Sequence, residues 1–391
     1  MHIVLYLLIS LILILLFLLY LTGLRLERQK KEELAARDRQ TVLNWPRIAL
    51  IVPVAGSDPR IEPALTSLLS QNYPHAIHVV VTEKADEPAV AIIARLKEKF
   101  DNLVHVVAGK SSLSGQKNHN LLQGIAAVSS MRPDCYVFCD STHIAPDDFL
   151  LSLVHPIACG EASFTTGYHE IVPKDTSFIT LAYTASVLMM RLLQALSVFT
   201  QPWGGAMAIR RGFFEEVGIA DLWRKTVVDD CSLVPLLQEK HRKVRLVARA
   251  LLVTECRQYK KDVWEAWMDR QILFPKFCAP AQWFLLGVML LLFLMPPFLC
   301  LEDLCLAVKH ASFLNAIVPL SWFGLFFLLI SSLRRFLPFH VSPIRWIGAF
   351  LLALVTFLRV YSGTFGTQEL VWHGYVYTVA KGGIVREKKP I

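Results

Sequence analysis

Hydrophobic positions fall into two textures along the chain. Residues 3–24 are apolar and carry no charge until Arg25. About 22 such residues at ~1.5 Å each can cross a hydrocarbon core of ~30 Å. No basic stretch precedes them and no clear small-residue cleavage site follows, so the pattern predicts an uncleaved anchor rather than a signal peptide. From Arg47 to about Cys278 the texture changes. Continuous apolar runs at 47–54, 78–83, 103–109 and 135–140 read as buried parallel strands, separated by helical spacing at 61–70, 89–100 and 118–130. Strand–helix alternation of this kind predicts an α/β domain with right-handed crossovers and one parallel sheet. Residues 178–199 are apolar but interrupted by Arg191 and Gln194, which predicts an interfacial or buried helix rather than a span. Three further spans are predicted at 281–301, 313–333 and 344–366, the last carrying Arg359.

These patterns divide the chain into an anchor (1–24), a charged linker (25–46), an α/β domain (47–278), a C-terminal transmembrane region (279–366) and a tail (367–391). Arg25, Arg28, Lys30 and Lys31 follow the anchor directly, and the positive-inside rule predicts that the α/β domain is cytoplasmic. The topology is strained. An external N-terminus and four full crossings put the tail outside, yet Lys381, Arg386, Lys388 and Lys389 favour the cytoplasm. One apolar segment is therefore expected to be re-entrant or interfacial, with Pro296-Pro297 and Arg359 marking the two candidates.

Composition agrees with an integral membrane protein: 54% of 391 residues are hydrophobic and mean hydropathy is +0.44. The net charge of +8 reads as juxtamembrane Lys and Arg facing anionic lipid. No basic stripe interleaved with aromatics argues for nucleic acid. Eight scattered cysteines form no paired CxxC set, which argues against zinc and for reduced, buried thiols.

Candidate chemistry gathers at two places. Asp140 ends the 135–140 strand, and ligands of parallel sheets bind at the carboxyl edge. Asp229-Asp230 open a helix roughly ninety residues later. Brought into the same crevice, that pair can supply a general base. Beside membrane spans, this suggests a soluble donor and a lipid-borne acceptor.

Several segments, in order, carry a family resemblance: PRIALIVPVAGSDP, LLSQNYP, DEPA at 86–89, GQKNHNL at 115–121, CDS at 139–141, GGAMAIRR at 204–211, VDD at 228–230 and WHGYVY at 372–377. The chain resembles membrane-bound glycosyltransferases of the GT-A fold, most closely the ceramide glucosyltransferases. The resemblance implies a GT-A nucleotide-sugar-binding domain with N- and C-terminal transmembrane helices. It also implies a UDP-sugar donor with glucose as the sugar, a ceramide-like lipid hydroxyl as acceptor, and inversion. Glu83, Asp86 and Glu87 are alternative contacts to the nucleotide, Glu87 standing where the family usually has a second aspartate. Lys117, at a helix start, suits the diphosphate. Asp140 is the candidate ligand for Mg²⁺ or Mn²⁺, although Ser141-Thr142 replaces the rest of the family's Asp-x-Asp. Asp230 is the expected base and Asp229 replaces the family's glutamate. Trp267, Arg270 and Gln271 occupy the place of the Gln-x-x-Arg-Trp motif, with Arg270 suited to the diphosphate. Trp267 and Trp264 are expected to stack on sugar or to shape the acceptor channel. His143 is expected to have a structural or acceptor-side role, and the tail motif must fold back under the catalytic domain. Two other readings remain open: a processive polysaccharide synthase of the same fold, and a non-catalytic binder of nucleotide-sugar or lipid.

Overall fold

The computed structural model describes residues 2–39, 42 and 44–391, with side chains from residue 10 onward. One helix, α1 (His2–Arg39), runs through both the apolar leader and most of residues 25–46. The charged linker is thus largely a continuation of the anchor. Its polar end is fixed to the α/β domain. Glu33 accepts from the backbone N–H groups of Ala248 (3.1 Å) and Arg249 (2.8 Å), and Arg37 pairs with Asp148 at 2.7 Å.

The domain begins with β1 (Ile48–Pro53), α2 (Ile61–Leu69), β2 (Ala76–Thr82), α3 (Ala89–Lys97), β3 (Leu103–Val107), α4 (Gln116–Ala127) and β4 (Cys135–Cys139). β1 pairs in parallel with β2 and β4, and β2 with β3. Side chains alternate between the two faces of β1. Ile48, Leu50 and Val52 pack with Leu65, Leu68 and Ile93, whereas Ala49 and Ile51 pack with Leu121. Both faces are covered by helices, which is why the run is apolar throughout.

The chain continues through α5 (Phe149–Ala158), β5 (Phe164–Pro173), α6 (Phe178–Gln194), β6 (Ala206–Arg210), α7 (Arg211–Val217), α8 (Ile219–Trp223), α9 (Leu233–Glu239) and β7 (Arg245–Cys256). The sheet order is β3-β2-β1-β4-β6-β5-β7. The expectation of one parallel sheet is corrected here: β6 is antiparallel to both β4 and β5. The physical reason lies in α6, which buries Leu181, Leu188 and Leu192 against the apolar helices. The chain therefore re-enters the sheet from the carboxyl edge, and Ala206 starts β6 opposite Cys139, the last residue of β4.

α10 (Lys261–Cys278) leads into α11 (Pro280–Lys309), α12 (Phe313–Ser332) and α13 (Pro343–Gly363). By length and composition α1, α11, α12 and α13 are candidate spans, whereas α6, at 17 residues, is too short. α11 runs unbroken through Pro296-Pro297. The tail forms β8 (Glu369–Trp372), β9 (Tyr375–Ala380) and β10 (Ile384–Pro390), an antiparallel sheet. It packs on the α/β domain: Val227 N–H donates to Gly383 O and Val385 N–H to Lys225 O, both at 2.9 Å.

Candidate active site

Lys117 is the electrostatic centre of the crevice. It lies in the first turn of α4, whose N-cap Gly115 sits so close to the 226–227 backbone that a Cβ would lie 1.9 Å from Val227 O. From there Lys117 Nζ reaches Asp140 Oδ1 at 2.7 Å, Asp229 Oδ2 at 3.0 Å and Gly204 O at 3.2 Å. Gly204 has to be glycine for this approach, since a Cβ there would stand 2.5 Å from Asp229 Oδ2 and 2.8 Å from Lys117 Nζ. Burial disfavours the ammonium, but Asp140, Asp229 and Asp230 outweigh it and hold the Lys117 pKa above its ordinary value. Burial also opposes ionised Asp140, yet Lys117 and His143 outweigh it and keep that carboxyl well below the usual range.

Asp229 and Asp230 are adjacent in sequence and opposite in setting. They do not open a helix directly: α9 starts at Leu233, with Ser232 at its N-cap. Asp229 is 1% exposed. Burial raises its pKa, Lys117 pulls it back, and Asp230 and Asp140 push it up again, to about 7. Asp230 is half-buried and lines the crevice. Its Oδ1 accepts from Cys231 N–H at 2.5 Å and its Oδ2 from Gly204 N–H at 2.8 Å. An ionised carboxylate has about four lone-pair sites, so each oxygen can accept once more.

A wall of rings stands beside Asp140. Thr254 Oγ1 lies 2.6 Å from His143 Nδ1 and 2.8 Å from His169 Nδ1. One hydroxyl proton serves two ring nitrogens, so one histidine donates to the oxygen and the other accepts from it. His169 stacks on Trp203, with ring centroids 4.9 Å apart, and burial holds its pKa well down. His143 Nε2 is 3.8 Å from Asp140 Oδ2.

The whole crevice is about 1160 Å³, and three further groups contribute to its lining. At the β2 edge are Glu83, Asp86 and Glu87, with Asp86 exposed and Glu87 Oε2 accepting from Gly56 N–H at 3.1 Å. The tail supplies Trp372 to Tyr375, turned by His373 (φ 47°) and Gly374 (φ 77°) as a two-residue hairpin requires. Tyr375 Oη donates to Glu83 Oε1 at 2.9 Å, and Lys388 Nζ sits 3.8 Å from the Tyr375 ring centroid. α10 supplies Trp267, Arg270 and Gln271. Burial lowers the Arg270 pKa, and among the described residues Arg270 makes no ion pair.

Trp264 departs from expectation. It is fully buried in the apolar cluster against which Trp267, one turn further along α10, also packs, and it lines neither cavity. Asn118, in the first turn of α4, has a buried side chain that donates to Thr226 O at 3.0 Å.

A second, apolar cavity of about 250 Å³ lies between α6, α10, α11 and α13. It shares Tyr168, Met190, Gln194, Gln201, Trp267 and Gln271 with the polar crevice. Its own lining includes Met189, Leu286, Met289, Phe350 and Phe357.

The sequence profile of glycosyl transferase family 21 matches residues 7–385. The chain belongs to that family. This family 21 protein is accordingly a glycosyltransferase, a mixed α/β protein with, among the described residues, four apolar helices long enough to span a membrane. No curated protein sequence matches it. Among solved structures it is similar to the mannosyltransferase PcManGT from Pyrobaculum calidifontis in complex with GDP-Man and Mn²⁺, at 16% identity. That likeness covers 90% of this chain and 99% of that one, with a TM-score of 0.48. It is also similar to GalNAc-T7 with UDP, GalNAc and Mn²⁺, at 10% identity over 60% of this chain and 49% of that one, with a TM-score of 0.40.

Within this family 21 site, a divalent cation would fit only in part on protein ligands. Lys117 already occupies Asp140 Oδ1, and no group of three or more His, Cys, Asp or Glu side chains is arranged for a metal among the described residues. Asp140 Oδ2 remains, so the donor set suits an ion completed by phosphate oxygens and water. Sequence reasoning left Tyr375, Lys388 and Trp203 unassigned, whereas the paired glycines of GGAMAIRR already pointed to a close approach to the backbone at Gly204.

Proposed function

We propose that this protein transfers glucose from UDP-glucose to the hydroxyl of a ceramide-like membrane lipid, with inversion. The supporting observation is the wall that a charged crevice, lined by Asp230, shares with an apolar cavity between candidate membrane helices. A sugar diphosphate suits the first space and a hydrocarbon chain the second.

Arg270 and Lys117 hold the diphosphate, Arg270 as a planar donor without a competing carboxylate. Glu83, Asp86 and Glu87, at the β2 edge, accept from uracil N–H or ribose hydroxyls. Asp140 would hold a divalent cation, which when bound would supply neutralising charge for the diphosphate leaving group. The acceptor oxygen attacks the anomeric carbon from the face opposite the diphosphate. As the new C–O bond forms, the bond to the diphosphate oxygen breaks and the acceptor proton passes to Asp230. One displacement inverts the centre. The basic residues after the anchor support a cytoplasmic catalytic domain.

Purified protein incubated with labelled UDP-glucose and mixed membrane lipids tests this reading. One glycolipid is the expected product. A long polymer indicates a processive synthase, and no product indicates a binding protein; either result rejects the proposal.

A further inference from the structure

Among the described residues four helices are long and apolar enough to cross a bilayer, but the packed tail sets a parity condition. α11 starts directly after α10 on the catalytic-domain side, and the tail sheet returns to that same domain through the Val227–Gly383 and Val385–Lys225 hydrogen bonds. The number of crossings between α10 and β8 must therefore be even, yet three apolar helices lie there.

The ends of α13 identify which one stays on one side. Its first turn is tied to the returning end of α12: Trp346 Nε1 donates to Ile330 O at 2.9 Å, and Arg334 Nη1 to Val341 O at 2.7 Å. That end of α12 lies at the polar end of α1's apolar stretch. Phe336 packs on Tyr20, with centroids 5.5 Å apart, and closes on Gly23, just before Arg25. Arg345 Nη1 also donates to Thr176 Oγ1, at 2.6 Å, in the loop between β5 and α6. The last turns of α13 are tied to the start of α11. Tyr361 stacks on Trp283 at 4.9 Å and donates to Trp283 O at 3.2 Å. Arg359 pairs with Glu265 of α10 at 2.5 Å, and Lys276 of α10 donates to Thr364 O. Both ends thus sit at the catalytic-domain level. Between them α13 runs along α6, with Gly348 against Phe178.

We infer that α13 does not cross the membrane but lies in its plane, as an amphipathic helix docked on the lipid leaflet next to the catalytic domain. α1, α11 and α12 are then the crossing helices. One face of α13 buries Trp346, Ala349, Phe350, Ala353 and Val360 against the protein. The opposite face exposes Ile344, Val355 and Leu358. Those positions recur at helical spacing and suit acyl chains, while Arg345 and Arg359 stand about 21 Å apart along the axis, where both can reach headgroup phosphate. In a spanning helix at least one of them would lie inside the hydrocarbon core. The inference does not depend on which sugar or lipid reacts.

Full-length protein in sealed vesicles tests it with a membrane-impermeant maleimide. In a Cys305→Ser background, His340→Cys reports the start of α13 and Ser362→Cys its end. The parent protein's exposed Cys305 reports the α11–α12 turn. The expected result is that His340→Cys and Ser362→Cys label from the same side, and that Cys305 labels only from the other. Labelling of the two α13 positions from opposite sides overturns the inference, as does labelling of Cys305 from the side that reaches His340→Cys. Should either variant fail to assemble, Arg335→Cys and Gly363→Cys replace them; both sites are exposed, and Gly363 has open space for a side chain. No catalytic activity is needed, so the outcome is separate from the test of the proposed function.

Discussion

The polar crevice and the apolar cavity share a wall but are built in opposite ways. The crevice is assembled from loop residues at strand ends, where Lys117 neutralises charge among Asp140, Asp229 and Asp230. The cavity is assembled from helix faces that present Met, Leu and Phe and no charge. Charge holds whatever fills the first, and loss of contact with water holds whatever fills the second. The difference teaches that the two ligands can be weakened separately, and that only residues near the seam should affect the reaction between them.

Asp230 lines the crevice and acts electrostatically on Tyr168, a residue of the shared wall, and it provides the most severe test. Asp230→Asn should cut turnover by about 10²–10⁴-fold, the usual worth of a general base, while UDP binding changes little. Turnover above a tenth of wild type would remove Asp230 from that role. Trp267→Ala enlarges the shared wall on the acceptor side. It should raise KM for the lipid by about tenfold, at the low end for losing a half-buried aromatic contact, and leave KM for the UDP-sugar nearly unchanged. Equal rises in both constants would show that the two spaces are not independent.

The smallest expected effect concerns Asp229, which belongs to the charge cluster and not to the seam. Its folded pKa of about 7 lies above the ordinary 3.8. The folded chain therefore keeps a proton that the unfolded chain has lost between those values. Stability from this source is full below the lower value and is lost as pH rises through the upper one. Thermal unfolding should show wild type losing stability relative to Asp229→Asn between about pH 4 and pH 7, with parallel curves above about pH 8. A difference that grows with rising pH in the opposite sense would contradict the assignment of that proton.

The legible parts of the molecule were those with a local signal. Strands β1 to β4 appear within two or three residues of their apolar runs, because a sheet flanked by helices reads as near-continuous apolar stretches. β6 carries no such signal: Ala206–Arg210 is five residues long, and its antiparallel direction depends on where α6 ends. The carboxylates and Lys117 could be singled out from their places at strand and helix ends, but their mutual distances could not. The tail was recognisable as a motif, whereas the Tyr375–Glu83 hydrogen bond joins residues 292 apart and leaves no periodic trace. Hydropathy likewise marks α13 as a candidate span, since length and composition do not record where a helix's two ends are tied.

The tail hairpin has a consequence for the order in which the protein is made. Trp372 to Tyr375 and Pro390 complete a crevice whose other walls come from residues before Cys278, but they are translated only after α11, α12 and α13. A ribosome that has finished the α/β domain has therefore not finished its polar crevice. The site closes only once the intervening apolar helices have been delivered to the bilayer. A fragment cut at the end of α10 would be an open half-vessel, and the cell acquires a complete crevice only where it has also acquired an embedded protein.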